Sequence, residues 1–143
     1  MSAALYNAEI LRLATEIPHQ TRLSAPHGSI EMRSPVCGSR VTVDVEIGSD
    51  GRIAALGQEV RACALGQASA SLMARNAIGK TPVALADARD ALSEFLSGGR
   101  TDPGGWPGLD IFKPAIPHKA RHASIKLAFE AVAAAAAQAQ ASA

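Results

Sequence analysis

A chain of 143 residues, 48% hydrophobic and 19% charged, has the length of one domain with its own core. Fourteen Lys and Arg against thirteen Asp and Glu leave a formal net charge of +1, which provides no basic footprint for nucleic acid. The Ala-rich end from Ala131 is broken by Gln138 and Gln140 and lacks the bulky apolar residues of a membrane span, and Glu9, Arg12 and Glu16 interrupt the start where a secretory signal needs an apolar run. A cytoplasmic protein without a nucleic-acid or membrane partner is expected.

From Ala4 to Ile17, Leu5, Ile10, Leu13 and Ile17 recur at helical spacing until Pro18 stops the pattern. A loop follows from His19 to Gly28. Period two then takes over. Ile30 and Met32 alternate with Glu31 and Arg33, and Val41, Val43, Val45 and Ile47 alternate with Thr42, Asp44 and Glu46. Asp44 and Glu46 are expected on a solvated face. The turn residues Gly48-Ser49-Asp50-Gly51 precede a third run, Arg52 to Val60, so an antiparallel three-stranded meander is predicted.

After Cys63 the spacing of Leu65, Ala68, Leu72 and Met73 predicts a helix to about Ile78, ended by Gly79. Thr81-Pro82 reads as N-cap and first helical residue of the next, whose buried face is Leu85, Ala88, Leu92, Phe95 and Leu96 and whose stop is Gly98-Gly99. Residues 98–117 hold four of the eight prolines in a Gly-rich context and form an insertion, either ordered or a mobile lid; the lone Trp106 reads either as part of a lid over the two cysteines or, more often in such a loop, as an anchor to the core. A last helix starts near Pro117 and packs through Ile125, Leu127 or Ala128, Phe129 and Val132. Residues 133–143, eight Ala with two Gln and a Ser, are expected to fray as a tail outside a domain spanning 1–132. Strands followed by helices, without βαβ alternation, predict a single α+β domain: a small three-stranded antiparallel sheet covered by helices.

The two cysteines are the first candidates for chemistry. Cys37 lies in Ser34-Pro35-Val36-Cys37-Gly38-Ser39, a tight loop between strands. Cys63 opens a helix, where N–H groups and the helix dipole favour thiolate over thiol. Two loop tips at one end of a meander can bring such thiols together, and a thiolate pair suits Zn²⁺ or an iron–sulfur cluster. Each is equally readable as a small buried apolar residue. His118 and His122 are four apart, hence on one helical face, where such a pair can bind a metal, but Lys119 and Arg121 surround it and a solvated helix start is the more common explanation. Ser69 and Ser71, with Gln67, read as packing or solvent contacts. No phosphate-binding glycine motif is present.

Pro35-Val36-Cys37-Gly38-Ser39-Arg40-Val41, then Arg61-Ala62-Cys63-Ala64-Leu65-Gly66-Gln67-Ala68-Ser69-Ala70-Ser71, then Ala120-Arg121-His122-Ala123-Ser124 opening an apolar helix, together resemble the IscU/NifU N-terminal/SufU family of iron–sulfur cluster assembly scaffolds. The resemblance runs from about Leu5 to Val132, and the insertion, which places Ser124 61 positions after Cys63, resembles the SufU branch. It implies a helix, a three-stranded sheet and a helix cluster. It also implies a site of three cysteines and an aspartate, of which Cys37 matches the first cysteine and Cys63 the second. The family's aspartate falls on Ser39 and its third cysteine on Ser124, with His122 close by.

The resemblance implies a carrier rather than a catalyst: a scaffold that binds a [2Fe–2S] cluster, or iron and its precursors, through Cys37 and Cys63, with Ser39, His122 and Ser124 as auxiliary ligands. A hydroxyl is a poorer ligand than a thiolate or carboxylate, so water, His122 or a second chain of a homodimer would complete the set. A cysteine desulfurase and iron–sulfur acceptor proteins are the implied partners. The alternative is a SufU-type sulfur-transfer protein with zinc or with a persulfide on Cys63. A third reading is a degenerate relative that acts as a partner-binding module.

Overall fold

The computed structural model describes residues 5–35 and 38–142, so Val36, Cys37 and the expected helix start at Ala4 lie outside the described residues. Helix α1 spans Ala8–Thr15 and is capped by the Asn7 side chain, which accepts a hydrogen bond from the Ile10 N–H (3.0 Å). It ends short of Ile17, because Pro18 pushes its predecessor toward extended backbone. Strands β1 (Gly28–Arg33), β2 (Arg40–Ile47) and β3 (Ile53–Arg61) form an antiparallel sheet in the order β1-β2-β3. The hairpin between β2 and β3 closes on Gly48–Gly51, with Gly51 at φ 77°, and the register shifts at Glu46/Ile47.

Helix α2 spans Ala64–Asn76 and α3 spans Pro82–Ser97. The Thr81 hydroxyl caps α3 by accepting from the Ala84 N–H (3.1 Å), and Gly98, at φ 89°, lets the chain turn back so that the Gly98 and Gly99 N–H groups satisfy the last carbonyls. The insertion packs into the core. It winds through a 3₁₀ segment, Leu109–Ala115, which buries Leu109, Phe112 and Ala115. Trp106 anchors it, donating Nε1–H to the Leu72 carbonyl (2.9 Å) and meeting Phe129 edge to face at 5.2 Å.

A second 3₁₀ turn, Lys119–Arg121, leads into α4, His122–Ser142. This helix overturns the expectation of a fraying tail. Its 21 residues run unbroken, and Ala133, Ala135, Ala136 and Ala139 are buried with Ile125, Phe129 and Val132. The low complexity misleads because alanine is the residue that lets a helix lie close to a sheet. A side chain at Gly28 of β1 would come within 2.1 Å of the Ala135 carbonyl. Helix α4 packs on β1 and β2 from one side and on α2 and α3 from the other, with α1 against α2. Val41, Val43 and Val45 face it and are buried.

The expectation of a solvated Asp44 is also overturned. Thr42 and Asp44 are buried, because the loop before β1 folds over the opposite sheet face. The Asp44 carboxylate accepts from Arg22 Nε (2.6 Å), Arg22 Nη2 (3.2 Å), the Leu23 N–H (3.0 Å) and the Ser29 hydroxyl (2.6 Å). Burial pushes this carboxyl up, but the hydrogen bonds from Arg22, Ser29 and Leu23 outweigh it and hold it below the usual carboxylate range. Among the described residues no helix is long and apolar enough to cross a membrane.

Candidate functional site

Cys63 is the N-cap residue of α2, with extended backbone (φ −67°, ψ 170°), and its carbonyl accepts the first helical hydrogen bond, from the Gln67 N–H (2.9 Å). Its side chain makes no capping bond, so the sulfur is left for other partners. It is half-buried, with Sγ 3.1 Å from the Ser124 hydroxyl on the first turn of α4. Ser124 Oγ lies in turn 3.4 Å from Ser39 Oγ, at the end of the loop that enters β2. Ser39 and Ser124 are 3% and 1% exposed, so both hydroxyls sit behind the thiol rather than beside it in solvent.

Small residues make this approach possible. A side chain at Gly66 would meet Ser124 Oγ at 2.7 Å and the Ala62 Cβ at 2.8 Å, so only glycine one turn into α2 allows the start of α4 to close on Cys63. Ser69, one turn further, donates to the Ile125 carbonyl (2.5 Å) and ties the same two helices together. Ser71 is buried and donates to the Glu16 carbonyl (3.3 Å) at the end of α1. Of the packing and solvent readings, packing holds for both serines. The signal for Gly66 was its place one turn into a helix otherwise built of side chains.

The β1–β2 loop reaches the cluster from the other side. The Ser34 N–H donates to the Ser39 carbonyl (2.8 Å) and the Gly38 N–H to the Ser34 carbonyl (3.1 Å), which closes the loop at its base. Cys37 belongs to this loop and lies outside the described residues.

His122 is held by the end of the insertion. Its Nε2 lies 2.9 Å from the Ala115 carbonyl and 3.0 Å from the Ile116 carbonyl. Both are acceptors, so Nε2 carries the proton and Nδ1 is the ring nitrogen left for a metal. The shared helical face expected for His118 and His122 is not formed: His118 precedes the 3₁₀ turn with φ −99° and ψ 73°, while His122 begins α4. Among the described residues no three His, Cys, Asp or Glu side chains converge on a metal position. Four residues that the family resemblance assigns to the site are described, and the structure joins three of them, Cys63, Ser124 and Ser39.

No family model and no curated protein matches the chain. Solved structures do. A nitrogen-fixing NifU-like protein, N-terminal part, from Brucella abortus is 40% identical, with a TM-score of 0.93 and 99% of each chain covered. The chain belongs to the NifU-like N-terminal family. A protein from the thermophile Fervidobacterium islandicum, described as an iron–sulfur cluster assembly scaffold for the SUF system, matches this NifU-like chain at 20% identity with a TM-score of 0.86, over 95% of this chain and 99% of that one. A hypothetical protein solved at 2.3 Å matches at 20% identity and a TM-score of 0.82. At that identity the last two show the fold, which is the sheet-and-helix arrangement implied by the resemblance.

Proposed function

We propose that this NifU-like chain handles an iron–sulfur cluster, or its iron and sulfur precursors, as cargo in cluster assembly, with Cys37 and Cys63 as its thiolate donors. The observation that carries this reading is the 3.1 Å approach of Ser124 Oγ to Cys63 Sγ, since it joins the two positions that the family likeness assigns to the second and third cysteines. A thiolate is a soft, strong ligand and a serine hydroxyl at neutral pH a weak one, so the two cysteines and two serines suit a cargo that is handed on, completed by thiolates from a second chain or an acceptor. A cysteine desulfurase as sulfur donor and iron–sulfur proteins as acceptors follow from the same reading.

A second reading is favoured by the same hydroxyl. Ser124 is placed to donate to a sulfur anion on Cys63, whether thiolate or persulfide. In that reading the Cys63 thiolate attacks the outer sulfur of a donor's persulfide, the donor leaves as thiolate, and Cys63 keeps the sulfur.

Anaerobic purification of wild type, Cys37→Ser and Cys63→Ser, with iron, zinc and acid-labile sulfide measured beside visible spectra, separates the two. Iron and sulfide in equal amounts, lost in both variants, supports the cluster reading. Zinc without sulfide, and one extra sulfur atom on Cys63 by mass spectrometry after exposure to a desulfurase, supports sulfur transfer. Neither metal nor sulfur on either thiol overturns both.

A further inference from the structure

The outer face of the sheet, turned away from α4, holds Ser29, Glu31 and Arg33 of β1, Arg40, Thr42 and Asp44 of β2, and Gly57, Glu59 and Arg61 of β3, because these alternate with the inward residues. The register sorts them into rungs. Ser29, Asp44 and Gly57 form one, roofed by Leu23 and by Arg22. Glu31, Thr42 and Glu59 form the next. Arg33, Arg40 and Arg61 form the last. Three arginines thus occupy neighbouring positions, one per strand, on the rung where β1 enters the Cys37 loop, β2 leaves it and β3 runs on to Cys63.

Like charges directly opposite each other in a sheet repel. The repulsion here is relieved only in part. Arg33 reaches Glu31 (2.6 Å) and Arg61 reaches Glu59 (3.4 Å), both along their own strands and with the arginine side chains 66% and 65% exposed. Arg40, at the centre, makes no ion pair among the described residues. In a chain whose net charge is only +1, this rung is a local concentration of cations, with Arg33 and Arg61 exposed on either side of a half-buried Arg40.

The geometry points to this rung as a docking site for an acidic helix of a partner protein, laid across the three strand ends beside Cys63. Strands lie about 4.8 Å apart, and carboxylates at i, i+3 or i+4, and i+7 of a helix follow one another at about 5 Å along its axis. One acidic stripe therefore meets all three arginines in step, with the central carboxylate opposite Arg40. Arginine suits this role because its planar fork pairs with a carboxylate through two hydrogen bonds.

The inference does not depend on what Cys63 carries, and its test is kept separate. Two fluorescent alanine-based helical peptides with the same number of glutamates are compared by anisotropy against the full chain at low salt. In one the glutamates form a stripe at i, i+3 or i+4, and i+7; in the other they are spread around the helix. The striped peptide is expected to bind about tenfold more tightly, with an affinity that falls as salt rises. The triple variant Arg33→Gln/Arg40→Gln/Arg61→Gln should abolish the difference. Arg40→Gln alone should remove about three- to fivefold, and Arg12→Gln/Arg89→Gln/Lys113→Gln should leave it intact. Cys63→Ser should bind as wild type does, so failure of the cargo reading leaves this result standing. Circular dichroism melting confirms that each variant is folded. Equal binding of the two peptides, or binding retained by the folded arginine triple, overturns the proposal. Arginine-dependent binding to vesicles with 30% anionic lipid, without preference for the striped peptide, also overturns it and assigns the rung to a membrane surface.

Discussion

Ser124 Oγ, near the end of the chain, stands between two groups from its first half, 3.1 Å from Cys63 Sγ and 3.4 Å from Ser39 Oγ. The residue is 1% exposed, so whatever atom occupies its γ position decides the chemistry behind the thiol. Ser124→Cys places a second sulfur there. It is expected to raise affinity for Zn²⁺ or Fe²⁺ by about tenfold or more, since thiolate replaces hydroxyl as donor. Ser124→Ala should cost about 0.5–1.5 kcal/mol of stability for the lost buried hydrogen bonding. Metal titration and denaturant unfolding of the two variants read these effects separately.

The Arg22–Asp44 pair gives stability a pH dependence of known sign. The folded state holds the Asp44 carboxyl below its ordinary range, so the unfolded chain takes up the proton first as pH falls. The contribution is present in full above the unfolded value of about 4 and is lost on acidification through the lower folded value. Arg22→Ala leaves the buried carboxylate with Ser29 and Leu23 N–H only. Because Arg22 is itself 48% exposed, a cost of about 1–2 kcal/mol is expected at pH 7, discounted for solvent screening. Urea unfolding at pH 7 and pH 3 should show the variant approaching wild type at the lower pH.

Truncation after Val132 would remove the alanines that lie on the sheet. Their burial, and the hydrogen bond from the Ser29 N–H to the Gln138 side chain, predict a loss of about 3–5 kcal/mol. Gly28→Ala tests the same contact from the sheet side, since its added methyl would overlap the Ala135 carbonyl. A cost of about 3 kcal/mol is expected. Thermal melts of both should move down together. A truncated chain as stable as the full one would show that residues 133–142 contribute nothing to the core.

Trp106 is the single tryptophan and is 7% exposed, so its fluorescence reports the insertion alone. Trp106→Phe keeps a ring against Phe129 but loses the hydrogen bond to Leu72, and should cost about 1–2 kcal/mol; Trp106→Ala should cost about 3–5 kcal/mol. In wild type the emission should be blue-shifted and should red-shift in the main unfolding transition. An earlier, separate red shift would mean that the insertion opens on its own.

Much of the architecture is legible in the sequence because local rules there agree with the tertiary structure. Thr81-Pro82 and Gly98-Gly99 bracket α3 as cap and stop, and the valines at 41, 43 and 45 mark the inner face of β2. The misreadings share a cause. Composition and spacing misread Asp44, the alanines after Val132 and the histidine pair, because their state depends on what spacing does not show: Arg22 across 22 positions, Gly28 from the far side of the sequence, and the 3₁₀ turn that separates His118 from His122. The cluster of Cys63, Ser124 and Ser39 was reachable only through family likeness, since nothing in the spacing of two serines and a cysteine brings them together. The arginine rung needed the strand register, which periodicity alone does not supply.

Helix α4 covers the inner face of a sheet whose strands end at Arg61. On the ribosome, β3 is therefore complete 81 residues before Ser142 is added, roughly 4–16 s at ordinary elongation rates. From the time β3 clears the exit tunnel until α4 does, Val41, Val43 and Val45 have no α4 to close on them, and the nascent meander presents an apolar strand surface to solvent or to a chaperone. Folding of this chain is thus set to complete late, when residues 122–142 clear the exit tunnel, and not strand by strand as synthesis proceeds.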